Sequence, residues 1–208
     1  MNGGKGLLLT WGTAEPPAPL RDPVVASLLD GIDVYEFPSI DLQRYRAIFV
    51  GMHVDQRFVA AQQPLLEVFL AQGGALVITG HIAYPILPEL QPFVPLPKPG
   101  RKDLEVVRVG DHPIFEGVDP AEQTAVKGVA GFYGRGHNPP PAGARILNRL
   151  GSDEGVPVDF VFRRGAGIVF VHAGNDYWQY MNDGRTTARL VPQLLVWAVE
   201  WSARRGAS

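Results

Sequence analysis

Three of the five histidines in this sequence stand directly behind runs of apolar residues. His53 follows the run 47–50, His81 follows 75–79, and His172 closes 168–171. Imidazole can exchange protons near neutral pH and can ligate divalent metals. Acidic and aromatic residues occupy similar positions. Trp11 and Glu15 follow the first apolar run, Asp55 and Tyr84 trail the third and fourth, and Asn175 and Asp176 lie just past His172. In an open parallel sheet, ligands bind beyond the carboxyl ends of the strands. These residues are therefore expected to share one rim. His81, His172 and Asp176 would form its acid–base centre, with Trp11, Glu15, His53, Asp55, Tyr84 and Asn175 binding the ligand. Plainer readings stand beside these. His53 can serve a neighbouring loop, His172 can be a satisfied core residue, Asp176 can cap a turn, and the aromatic residues 177–180 can simply pack.

The missing chemistry narrows the options. There is no cysteine, which removes disulfides, thiolate metal sites and every cysteine nucleophile. None of the five serines sits in a Gly-x-Ser-x-Gly elbow. A nucleophile behind the fourth strand would have to be Thr79 or His81. Attack by water, with His81 or His172 as base, is chemically simpler. His53, Asp55, His81 and His172 could also hold a metal for a hydrolase, but no tight ligand spacing supports this. Neither a metal nor another cofactor is expected.

The elements that must position these groups alternate along the chain. Leu7-Leu8-Leu9-Thr10 reads as a buried strand. Asp22 and Pro23 open a helix that Gly31 closes. Strands follow at 33–37, 47–50 and 75–79. The helix between the last two, 57–72, carries an apolar stripe of Phe58, Ala61, Leu65, Val68 and Phe69. Pro64 interrupts it. The segment 85–100 holds six of the 19 prolines and reads as an irregular excursion. Extended segments are expected at 104–109, 125–133, 145–150, 158–162 and 168–171, with a solvated hairpin turn at 163–167. A closing helix, 187–204, presents a wide apolar face including Leu190, Leu194, Trp197 and Trp201. Strands joined by short helical crossovers predict an α/β fold whose parallel sheet is covered on both sides.

The 208 residues suit one domain, 1–208. Lys and Arg total 19 against 21 Asp and Glu, a balance that argues against a dedicated nucleic-acid binder. No apolar run approaches the roughly 20 residues of a membrane-spanning helix, and no secretory signal is expected. A small polar molecule is the expected partner, with no nucleic acid and no membrane.

Four ordered segments carry a family resemblance. Gly73-Gly74-Ala75-Leu76-Val77-Ile78-Thr79-Gly80-His81 resembles the strand and elbow of the class I glutamine amidotransferase-like superfamily, closest to its trehalose-utilisation (ThuA-like) branch. His112-Pro113-Ile114-Phe115-Glu116-Gly117-Val118 is similar to that branch's HPI-x-G segment. Residues 167–176 resemble its G-x-V-F strand and turn, with Asn175 where the branch carries histidine. Leu194-Leu195-Val196-Trp197-Ala198 is similar to its closing helix. The resemblance implies an α/β, flavodoxin-like three-layer sandwich with a mostly parallel central sheet and added β-hairpin segments, in a bacterial, cytoplasmic protein linked to carbohydrate metabolism. It also implies no glutaminase activity, since that chemistry needs the absent cysteine. Three readings follow. The first is a binder of a small polar ligand such as a sugar; as an enzyme it would be a hydrolase or isomerase using histidine acid–base chemistry. The second is a non-catalytic scaffold or oligomeric subunit, for which a homodimer is compatible with the fold. The third is the metal-dependent hydrolase.

Overall fold

A computed structural model describes residues 4–203, apart from Lys127 and Asp183. Eight strands form the central sheet: β1 (Lys5–Thr10), β2 (Leu29–Asp33), β3 (Tyr45–Val50), β4 (Ala75–Thr79), β5 (Val106–Arg108), β6 (Arg145–Leu150), β7 (Val156–Arg164) and β8 (Gly167–His172). Their order is β2-β1-β3-β4-β8-β7-β6-β5. The first five in that order run parallel. The last three join by antiparallel pairing. Two short ribbons, 94–95 with 136–137 and 125–126 with 129–130, lie outside this sheet.

Period-two alternation sends neighbouring side chains to opposite faces. Leu8, Ala75, Val77 and Phe170 face one core, while Leu7, Leu9, Leu76, Ile78, Val169 and Val171 face the other. Helices cover both. On the first face lie α1 (Pro23–Leu28) and the long α4 (Leu190–Ala203), which buries Leu190, Val191, Leu194, Leu195, Ala198 and Val199. On the second lie α2 (Gln56–Ala61) and α3 (Gln63–Ala71), together with Ile82, Ile86, Leu87 and Leu90 from the start of the Pro-rich excursion. The result is a three-layer α/β sandwich with a mostly parallel sheet.

Several element boundaries differ from the sequence expectation. The helix opened by Asp22 ends at Leu28, and the second strand is 29–33 rather than 33–37. Asp22 does accept from the N–H groups of Val24 and Val25. Gly31 is not a helix exit. It lies in β2, where a Cβ would come within 2.6 Å of the Ala14 carbonyl and 2.9 Å of Pro16. The loop after β1 therefore packs directly on that glycine. The 57–72 segment is two helices that break at Gln62, just ahead of Pro64. Their buried face is Val59, Leu66, Phe69 and Leu70, displaced from the expected stripe, and Val68 is exposed. The break resets the helical phase, so one continuous periodicity cannot fit both halves. The extended segments 104–109 and 125–133 shrink to β5 and a two-residue ribbon. The closing helix begins at Leu190, after a tight turn over Thr186–Arg189. Its expected final residue, Arg204, lies outside the described residues. Arg164, expected as a solvated hairpin tip, instead pairs with Glu67 at 3.0 Å and with Glu89.

Candidate functional site

The carboxyl ends of β1, β3 and β8 border a cavity of about 350 Å³. β1 contributes Thr10 and then its exit loop, with Trp11, Thr13 and Glu15. That loop is held down where the Thr10 hydroxyl donates to Ile32 O at 2.6 Å. The exit of β3 contributes Gly51 and His53. The turn after β8 contributes Asp176 and Trp178. Arg21, at the end of the turn before α1, completes the wall and lies 3.5 Å from Glu15. The lining combines two indoles with ionisable and hydroxyl groups. Trp11 is 64% exposed.

Asp176 is the chemically unusual member, with only 1% of its surface exposed. Its Oδ1 accepts from Met52 N–H at 2.9 Å and from the Thr79 hydroxyl. Its Oδ2 accepts no hydrogen bond from the described residues, and the side chain lines the cavity. Burial pushes its carboxyl up to about 6, against the opposing pull of those two hydrogen bonds and of His53 and His172. A carboxyl poised near neutrality can accept or donate a hydrogen bond according to what binds.

The remaining expected site residues divide sharply. Trp11, Glu15, His53 and Asp176 share the cavity. Asp55, Tyr84, His81, Asn175 and His172 do not line it. Asp55 caps α2 through Phe58 N–H at 3.1 Å and accepts from Tyr35 at 3.0 Å. Those two bonds hold its carboxyl below the usual range. Tyr84 is exposed beside the Arg57 guanidinium, 5.6 Å away. His81 points outward and stacks on Phe93 with ring centroids 3.6 Å apart. Loss of water on that face, and then the nearby His172, lower its pKa. Its orientation follows from Gly80, whose φ of +103° turns the chain, and from buried Asn138. Asn138 accepts from Ile82 N–H and donates to Gly80 O.

His172 is fully buried. Its Nδ1 lies 2.7 Å from Asp159 Oδ1 and its Nε2 lies 3.1 Å from Asn175 O. Asp159 also accepts from Tyr177 at 2.8 Å, from Tyr133 at 2.6 Å and from the Asn148 amide at 2.6 Å. Burial, and then the Asp159 charge, raise the pKa of both phenols, so they stay protonated donors. The three expected imidazoles therefore do not converge: one is in the core, one stacks on Phe93, and one borders the cavity. The core network instead braces the turn that carries the site. It holds Asn175 O and Tyr177 on either side of Asp176, while the Asn175 amide donates to Phe132 O at 2.7 Å.

Sequence reasoning missed Arg21, Asn138 and the Asp159 network. Asp159 carried a readable signal, a single carboxylate inside the apolar run 158–162. Such a charge needs buried partners. Among the described residues, no three His, Asp or Glu side chains come together in a metal-holding arrangement. No helix among them is long and apolar enough to cross a membrane.

No family model matches the chain, and no curated protein matches it. Solved structures do. A cytoplasmic protein of Salmonella typhimurium, STM3548, is 15% identical over 93% of this chain and 98% of its own, with a TM-score of 0.52. The mmIFT52 N-terminal domain is 11% identical over 94% of this chain and 97% of its own, with a TM-score of 0.56. Alpha-L-fucosidase isoenzyme 2 from Paenibacillus thiaminolyticus is 15% identical, with a TM-score of 0.52. That match covers 95% of this chain but 33% of the fucosidase, so the chain spans about a third of that enzyme's length. At these identities the likeness shows a shared fold.

Proposed function

We propose that this chain is a ThuA-like protein that binds a small, uncharged polar ligand of the carbohydrate class between Trp11, Trp178 and Asp176. The observation that carries this reading is the Asp176 carboxyl, fixed through one oxygen by Met52 and Thr79 while the other oxygen accepts no hydrogen bond from the described residues. A buried acid with a spare oxygen suits a ligand hydroxyl, which both donates and accepts. Indole faces suit the C–H face of a sugar ring. Glu15 and Arg21 offset each other across the wall, which favours a neutral ligand over an ion. The cavity volume falls within the range of small-ligand sites.

Binding is the function proposed, with no acid–base cycle through paired imidazoles, because His81 and His172 do not line the cavity. The test is titration with glucose, trehalose and sucrose, followed through the indole N–H resonances. At least one sugar is expected to shift the Trp11 and Trp178 signals. Trp178→Ala and Asp176→Asn should each weaken it by about ten-fold or more, the value of one or two lost contacts. Silence from all three sugars, or affinity indifferent to both substitutions, would refute the proposal and favour a non-catalytic scaffold.

A further inference from the structure

Among the described residues, the strongly exposed Phe, Trp and Tyr side chains are Trp11, Tyr35 and Tyr84. All of them follow the carboxyl ends of strands in the central sheet: β1, β2 and β4. Single exposed apolar residues are ordinary. Trp11 and Tyr35, however, are fixed side by side. Thr10 pairs in register with Asp33, so the residues that leave β1 and β2 emerge together. The Asp33 carboxylate accepts from Tyr35 N–H at 3.0 Å and sets the direction of that exit. The Tyr35 hydroxyl donates to Asp55 Oδ2 at 3.0 Å, and its ring packs edge-on with Phe58, centroids 4.9 Å apart. The Tyr35 pKa is raised, first by that bond to Asp55, against an opposing hydrogen bond from the Trp11 side chain. The phenol is thus held by several neighbours while 50% of its surface remains exposed. Trp11 belongs to the wall of the Asp176 cavity, and Tyr35 lies outside that wall. Trp11, Tyr35 and Asp55 therefore continue the cavity outward along the edge of the sheet.

We propose that the ligand of the Asp176 cavity is an oligosaccharide of at least two units, whose terminal unit fills the cavity and whose next unit lies over Trp11 and Tyr35 beside Asp55. The proposal rests on the reading of that cavity as a sugar site and names the length of chain the site takes. Aromatic rings suit the C–H faces of the second unit as they suit those of the first. Successive sugar rings turn relative to one another, so the two platforms need not be coplanar. A carboxylate has about four lone-pair sites. Tyr35 and Phe58 N–H take two of those on Asp55, and the others accept from hydroxyls of the second unit. Because Tyr35 is already held in place, little further ordering accompanies binding.

The test is calorimetric titration of the full chain with glucose, maltose, cellobiose and trehalose, which join two glucose units through three different linkages. At least one disaccharide should bind about ten-fold or more tightly than glucose, the value of a further aromatic contact with its hydrogen bonds. Tyr35→Ala should bring the ratio of disaccharide to glucose affinity close to one. Tyr35→Phe, which keeps the ring, should preserve most of that ratio. Trp178→Ala, inside the cavity, should weaken glucose and disaccharide alike and leave the ratio in place. If Tyr35→Ala fails to fold by circular dichroism, the Tyr35 ring resonances of the unmodified chain decide: they should move with the disaccharide and stay still with glucose. Glucose binding with every disaccharide within about three-fold of it overturns the proposal and leaves the reading of the cavity standing. A disaccharide gain that survives Tyr35→Ala overturns it as well. Silence from all four sugars overturns both.

Discussion

Replacing Asp176 by Asn should stabilise the protein at neutral pH and leave it nearly unchanged in acid. In the folded chain the Asp176 carboxyl is raised from 3.8 to about 6, first by burial. The gap is about 2 units, and at 1.36 kcal/mol per unit it amounts to about 3 kcal/mol. The sign follows from which state holds the proton. A raised folded pKa means that the native chain holds a proton which the unfolded chain releases. The associated stability is therefore fully present below pH 3.8 and is lost as pH climbs toward 6. Asn keeps the Oδ1 acceptor used by Met52 and Thr79 but cannot ionise. The unmodified protein should therefore match Asp176→Asn near pH 3.5 and fall about 3 kcal/mol below it by pH 7. For a chain of this size that corresponds to a melting-temperature gap of roughly 6–12 °C. Urea titrations of both proteins at half-unit pH intervals measure the difference directly. A gap that stays constant across pH would show that Asp176 ionises normally, and the reasoning for a poised carboxyl would fail with it. Retention of so costly a group beside a cavity is a mark of a functional site.

Further outcomes follow from the core and its turns. Asp159→Ala strands His172, Asn148, Tyr133 and Tyr177 at once and should cost about 3–5 kcal/mol, the range for breaking a buried pair. Tyr133→Phe removes one donor and should cost about 1–1.5 kcal/mol. Chemical denaturation of both variants tests the ordering, and equal losses would contradict it. Gly80→Ala combines a φ of +103° with a Cβ placed 2.5 Å from that of Met52. It should cost more than about 2 kcal/mol and broaden the backbone resonances of the β3 and β4 exits. A melting temperature unchanged within error would show that the backbone there relaxes freely.

How much was legible depended on the length and contrast of each segment. Ala75–Thr79 is apolar on both faces and bounded by glycines, and the expected strand matches the observed one. Residues 29–33 hold only two buried apolar side chains among Asp30, Gly31 and Asp33. Such a strand exists through its pairing with β1, which local pattern cannot supply. In the candidate site, the topological rule about strand ends brought Trp11, Glu15, His53 and Asp176 to one hollow. It misplaced His172, whose parity with Ile168 and Phe170 turns it toward the α4 face and onto Asp159. It also assigned His81 and Asp55 to the hollow, because a loop residue's direction is set by contacts such as those of Asn138 and Tyr35.

The order of residues alone determined the class of architecture, the absence of thiol chemistry and the band of the sheet at which polar groups gather. Each of these depends on composition or on short-range periodicity, which a linear chain carries in full. Tertiary structure decided which of those groups share a hollow, which lie in the core, and which carboxyl is raised toward neutrality. Side-chain direction, burial and hydrogen-bond partners arise from segments far apart in the chain, 124 positions between Met52 and Asp176, and exist only once the sheet has closed around them.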